Sequence, residues 1–403
     1  MSLRCPAGPW VLAFFYGLLG AVTLPACERE VLLGYLSPTP ASHDAGADSG
    51  PAGDPLRFRT ALSLALELEP QAIASADLDR DGQPDLIVAH GAAKLIRAFL
   101  GSGDGTFPRV ADTACGAATA GLVVADFNAD QRPDLAVSLV GPGQVQVLAG
   151  RGDGTFTAAR TYATGSGPLA AADLNGDGRP DLAIATASEV VILLSGPLGV
   201  GFEPLTPARY PIAGAASALA AGDLNRDRFI DLAVALGGLP QLAVLSNSGS
   251  GGFSLSSAAL VEPSQTMALV ALDGSGAPKG AVTGASTLTL LENQGGRLTQ
   301  DLKLGFRYPV GPDPRLLQSA DFDLDGHLDL LTASASEPTL SVLFGSGAGD
   351  LRHAAATVRL AAPAAALSIG DWNHDAVRDL AVVTVSPPQL HVMLGGEQPE
   401  RGD

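Results

Sequence analysis

Seven short clusters of aspartate and asparagine hold the residues best suited to chemistry. Their first residues are Asp77, Asp126, Asp173, Asp223, Asp273, Asp321 and Asp371, at intervals of 49, 47, 50, 50, 48 and 50. The sharpest three read D-x-[DN]-x-D-G-x-x-D: Asp77, Asp79, Asp81 and Asp85; Asp173, Asn175, Asp177 and Asp181; Asp321, Asp323, Asp325 and Asp329. In such a loop the oxygens at positions one, three, five and nine converge with the carbonyl of position seven. An all-oxygen set with several carboxylates selects a hard cation, and six to eight flexible ligands favour Ca2+ over Mg2+. Glycine at position six permits the sharp turn. The set is not an EF-hand, which needs glutamate at position twelve and flanking helices. Position twelve is here Val88, Ile184 and Thr332.

Three further copies keep the ligands and lose the glycine: Asp126, Asn128, Asp130 and Asp134; Asp223, Asn225, Asp227 and Asp231; Asp371, Asn373, Asp375 and Asp379. They are expected to bind as well, more weakly. The fifth copy, from Asp273 to Ala281, has lost three of its four ligands and gained Lys279, so no metal is expected there. The expectation is up to six calcium ions. Together the six loops hold nearly half of the 42 acidic residues, so the net charge of -18 is mainly ligand charge. Aspartate also builds plain turns, but six copies at one period with the same offsets exceed what turns alone require.

The elements around the clusters repeat with them. A small apolar run leads in (QAIASAD, AGLVVAD, GPLAAAD), and a richer one leads out (DLIVA, DLAVS, DLAIA). A third run follows, then a glycine turn and a fourth stretch. Runs this short between Gly, Pro, Asn and Asp read as strands. Four strands in each of seven units predict an all-β, seven-bladed β-propeller of four-stranded antiparallel blades over 56–396. The last unit has three strands. The isolated segment 57–66 is expected to complete it and close the ring.

Within the turns lies Arg151-Gly152-Asp153, a tripeptide read by animal adhesion receptors, and a second copy ends the chain at 401–403. GSGDGTF at 101–107 occupies the same repeat position as GRGDGTF at 150–156, with Ser102 in place of Arg151. The tripeptide is therefore expected to be a hairpin turn whose glycines supply positive φ.

The loop and the G-D-G-T-F turn together resemble the FG-GAP/VCBS repeat. That repeat builds the seven-bladed head of integrin alpha subunits and many bacterial surface proteins. The resemblance covers roughly residues 56–396 and implies the propeller fold and calcium in the loops. It does not specify a function.

At the N-terminus, Trp10 to Leu24 is mostly apolar and too short to span a bilayer. Leu24-Pro25-Ala26-Cys27 resembles a bacterial lipobox, so 1–26 is read as a signal peptide and Cys27 as the lipidated residue. An ordinary secretory signal is the alternative. Residues 27–55, rich in Pro, Ala, Ser, Gly and Asp, read as a flexible tether, and 397–403 as a disordered tail. Cys115 alone remains for the folded part, so no intrachain disulfide is expected.

The acidity argues against nucleic acid. No nucleophile elbow, phosphate loop or zinc motif occurs, and the calcium loops account for the paired carboxylates, so no catalysis is expected. The expected role is a monomeric protein-interaction or adhesion module. It would be lipid-anchored at the cell envelope, preferentially the outer membrane or cell surface, with an envelope or extracellular protein as partner. The alternative is a carbohydrate-binding, lectin-like propeller whose partner is a glycan.

Overall fold

The computed structural model describes residues 14–15, 21–22, 58–196, 207–272, 278–293, 298–299 and 307–396. Within these residues each of the seven units is a four-stranded antiparallel sheet, and the sheets are arranged as a ring. No helix among them is long and apolar enough to cross a membrane. Blade one shows the plan: Ala72–Ala76 innermost, then Asp85–His90, Leu95–Leu100 and Arg109–Ala114 outward. Blade five is the least regular. Its third strand, Thr287–Asn293, pairs with both Leu298–Thr299 and Arg307–Pro309.

The ring closes as the repeat count requires. Phe58–Ala65 lies antiparallel on Pro388–Gly395, in register from Phe58 opposite Gly395 to Ala65 opposite Gln389. This strand is the outer edge of blade seven, so the two ends of the domain hold each other by backbone hydrogen bonds.

Blades are sandwiched between neighbours, and that explains the unbroken apolar runs of their second strands. Every residue of Asp85–His90 is buried. Successive side chains of a strand point to opposite faces. Accordingly Leu86 and Val88 enter a core shared with blade seven, while Ile87 and Ala89 enter one shared with blade two. Innermost strands are rich in alanine, as in Leu169–Ala172 and Ala216–Gly222, because the wedges narrow towards the axis. Outer strands alternate with solvent instead, as in Arg109–Ala114.

A hydroxyl latch joins some neighbouring outer strands. The N–H groups of Phe156, Phe253 and Leu351 donate to Thr113 Oγ1, Tyr210 Oη and Tyr308 Oη, each at 3.1 Å and each 43 residues upstream. Sequence reading did not single out these residues; the recurrence of Tyr210 and Tyr308 ahead of the innermost strands was the available signal.

Two short pairings lie inside the segment read as a leader. Phe14–Phe15 pairs with Leu219 and Ala218 of blade four, and Ala21–Val22 with Ala74 and Ser75 of blade one. The tether 27–55 with Cys27, residues 56–57 and the tail 397–403 lie outside the described residues.

Candidate metal centre

The aspartate at position nine starts the second strand of its blade. Asp85, Asp134, Asp181, Asp231, Asp329 and Asp379 are all fully buried. Each spends both carboxylate oxygens on the backbone. Asp85 Oδ2 accepts the N–H of Leu78 and Oδ1 that of Gly101, both at 2.7 Å. The other five repeat the pair at 2.6–3.1 Å. One carboxylate thus ties the loop to the end of the third strand. Burial pushes these acids up to about 7, and Asp231 to about 6, against the lowering effect of the N–H donors.

The loop backbone corrects the role expected of glycine. Positions four and six have positive φ in all six loops, whatever residue occupies them. At position six the angles are 84° at Gly82, 65° at Gln131, 75° at Arg228 and 66° at Ala376. At position four, Arg80, Ala129, Arg226, Leu324 and His374 lie between 58° and 64°. A side chain in this region costs roughly 1–2 kcal/mol. The aspartate pin and the position-one carboxylate offset that strain. Asp126 accepts the N–H groups of Asp130 and Gln131 at 3.1 and 2.7 Å, as Asp371 does for Asp375 and Ala376 at 3.2 and 3.0 Å.

Position three divides the loops into two kinds. Where it is asparagine, its Nδ2 donates to the position-five carboxylate. These bonds run from Asn128, Asn175, Asn225 and Asn373 to Asp130, Asp177, Asp227 and Asp375, at 2.8–3.1 Å. Where it is aspartate, in blades one and six, an arginine from the outer part of the same blade supplies the donor. Arg109 pairs with Asp79, and Arg352 with Asp323 at 3.0 Å and with Asp325.

The metal reading can be tested on these same two loops. Among the described residues, two acidic groups each bring three carboxylates within 4.8 Å of one another: Asp77, Asp79 and Asp85, and Asp321, Asp323 and Asp325. In them Asp77 Oδ1, Asp79 Oδ1 and Asp321 Oδ1 are buried with no hydrogen-bond partner. A buried carboxylate oxygen without a partner is expensive, and a cation is the partner this geometry fits. In the fifth unit, residues 273–277 lie outside the described set. Lys279 forms an ion pair with Glu292 at 2.8 Å, and buried Ala281 stands where the other loops place aspartate.

Position two, which sequence reading passed over, is an apolar wedge. Leu78, Phe127, Leu174, Leu224, Phe322 and Trp372 are all buried. Carbonyls at this position reach the next blade. Trp372 O accepts the N–H of Gly105 at 2.9 Å. Leu174 O and Leu224 O accept Nδ2 of Asn247 and Asn293, each at 2.8 Å.

The glycine turn is a hairpin, as expected. Gly152 and Gly154 have φ of 75° and 82°, and Arg151 N–H donates to Thr155 O at 3.0 Å. A Cβ on Gly154 would lie 2.8 Å from Leu100 of blade one, so the turn also needs glycine for close approach. Asp153 Oδ1 accepts the N–H and the hydroxyl of Thr155, and Arg151 Nε donates to Thr157. The tripeptide's charged groups therefore fold back on their own turn. Cys115 is a buried free thiol whose pKa burial raises to about 11.

The FG-GAP-like repeat matches residues 77–137, 126–184 and 173–234. No curated protein matches the chain in sequence. Solved structures share the fold at low identity. A chain of the crystal structure of BBS1N in complex with ARL6DN is 13% identical at a TM-score of 0.58, over 86% of this chain and 98% of that one. A streptogramin B lyase is 12% identical at 0.57, over 85% and 98%. A chain of a humanised Chaetomium thermophilum Polycomb Repressive Complex 2 is 10% identical at 0.57, over 84% and 98%. Repeat match, blade count and loop geometry agree: the chain is a seven-bladed β-propeller that carries FG-GAP-like repeats over residues 77–234.

Proposed function

We propose that the protein is a calcium-stabilised interaction module, held at the cell envelope by lipid on Cys27. The carrying observation is the set of buried, partnerless oxygens on Asp77, Asp79 and Asp321, which calcium would satisfy. The ion would be held by the oxygens of positions one, three and five with the carbonyl of seven, and by the position-nine aspartate. Its charge would offset the mutual repulsion of the loop carboxylates and fix the loops as a rigid face.

A rigid ring whose loops present many polar groups suits binding better than catalysis. Protein is favoured over glycan as the ligand. Trp372, Tyr162 and Tyr308 are buried, which leaves little aromatic surface for stacking on sugars. Cleavage ahead of Cys27 would remove residues 14–15 and 21–22 from the mature protein. No catalytic role is proposed, and membrane attachment is through lipid alone.

The test uses the mature chain from Glu28 as bait in envelope extracts of the source cells, with calcium and with chelator. A protein retained in calcium and lost in chelator supports the proposal. Failure to retain protein in either condition, with binding on a glycan array, would replace it with the lectin-like reading.

A further inference from the structure

Loops one and six differ from the other four in two linked ways. They carry aspartate rather than asparagine at position three, and among the described residues they are the loops whose carboxylates pair with an arginine from beyond the loop, Arg109 or Arg352. Arg179 also meets a loop carboxylate, Asp177 at 2.7 Å, but from inside its own loop. Asn373 in blade seven bridges positions three and five with its own amide, at 2.8 Å from Asp375. In blade six two carboxylates face each other there, and the Arg352 guanidinium spans Asp323 and Asp325. The swap replaces an amide donor by a carboxylate and adds one cation from outside. With Arg109 and Arg352 counted, the two four-carboxylate loops carry the same net ligand charge as the four loops with three carboxylates.

The side chains are placed for this. Asp79 and Asp323 are about nine-tenths buried, at 10% and 11% exposure, while Arg109 and Arg352 are half exposed, at 58% and 49%. Each guanidinium approaches from the solvent side and takes Oδ2 of position three. The inner oxygens, Asp77 Oδ1, Asp79 Oδ1 and Asp321 Oδ1, stay without partners.

We propose that Arg109 and Arg352 are resident counter-cations of loops one and six: they hold the fourth carboxylate in the calcium-free protein and hold down calcium affinity at those two sites. The inference rests on the calcium reading above. A guanidinium suits the role because its planar fork matches carboxylate oxygens and stays charged at any working pH. Without it, four carboxylates would repel in the empty loop and attract calcium more strongly. With it, these two sites bind calcium less tightly than their four carboxylates alone would.

The test compares the mature protein with the double variant Arg109→Gln/Arg352→Gln. Calcium is titrated against a chromophoric chelator, and thermal unfolding is followed without calcium. One unit charge removed at about 6 Å from a divalent ion through water changes affinity by about tenfold. Two sites should tighten by about that factor while the rest hold still. The calcium-free melting temperature should fall. Adding Asp79→Asn and Asp323→Asn to the double variant should restore both properties, because asparagine brings its own donor. Unchanged affinity, or weaker binding in the double variant, would overturn the proposal. A wild-type protein that takes up no calcium would sink the calcium reading itself, a result distinct from either.

Discussion

The N–H of Gly105 in blade one donates to the carbonyl of Trp372 in blade seven at 2.9 Å, joining a glycine turn to an acidic loop across the closure of the ring. Asn247 and Asn293 make the corresponding bridge from blades four and five to the loops before them. Loop order and ring integrity are therefore one property. Stripping calcium should lower the melting temperature of the whole domain in a single transition, by roughly 10 °C or more for several sites at saturating ion. Differential scanning calorimetry with calcium and with chelator checks this; equal melting temperatures would remove calcium from the account.

The pins are separable from the proposed metal binding. In Asp134→Asn, one of the two buried N–H groups now paired at 3.1 and 2.8 Å would face an amide NH2. Leaving a buried donor unpaired costs about 1–3 kcal/mol. Urea unfolding should show most of that loss in chelator as well as in calcium. A loss confined to the calcium-loaded protein would mean that Asp134 acts as a ligand alone.

Strain at position six can be relieved. Ala376 sits at φ 66°. Ala376→Gly should raise stability by up to about 1 kcal/mol, the reverse of its effect in an ordinary strand or helix. A denaturant midpoint that moves down would show that the unfolded chain's added freedom outweighs the relief.

The outer latch has its own signature. Tyr308→Phe keeps the ring and deletes the oxygen that accepts Leu351 N–H at 3.1 Å. A stability loss of about 1–2 kcal/mol is expected. Hydrogen exchange should quicken at Leu351, in the outer strand of blade six; exchange unchanged there would show that water replaces the hydroxyl without consequence.

His90 sets an acid limit. It is fully buried, Nδ1 lies 3.1 Å from Leu68 O, and Nε2 has no partner. Burial holds its pKa below the usual histidine value, with Arg97 lowering and Asp112 raising it. The unfolded chain then binds the proton more readily than the folded one. This contribution is complete above about pH 6.5 and is lost as pH falls through the folded value, at no more than about 1.4 kcal/mol per pH unit. In calcium, wild type should lose more stability than His90→Asn between pH 7.5 and 5.5. Parallel pH curves would exclude the histidine as the cause.

The amino-acid sequence by itself determined the repeat, the blade count, the strand order within each blade and the ring closure by residues 57–66. These follow from period and alternation, which are local and survive in any context. It also located every loop residue of the metal-type clusters and the hairpin nature of the turn around Gly152 and Gly154. Tertiary structure decided what those residues touch. The positive φ of Gln131, Arg228 and Ala376 was not legible, because no local preference favours it and contacts from Asp126, Asp223 and Asp371 enforce it. The reach of Arg109 and Arg352 to Asp79 and Asp323 spans about thirty residues and depends on how the outer strand crosses the loop. The 43-residue latches and the bridges through Asn247 and Asn293 exist only between blades. A single repeat encodes its own strands; its neighbours determine which of its polar atoms find partners and which are left without one.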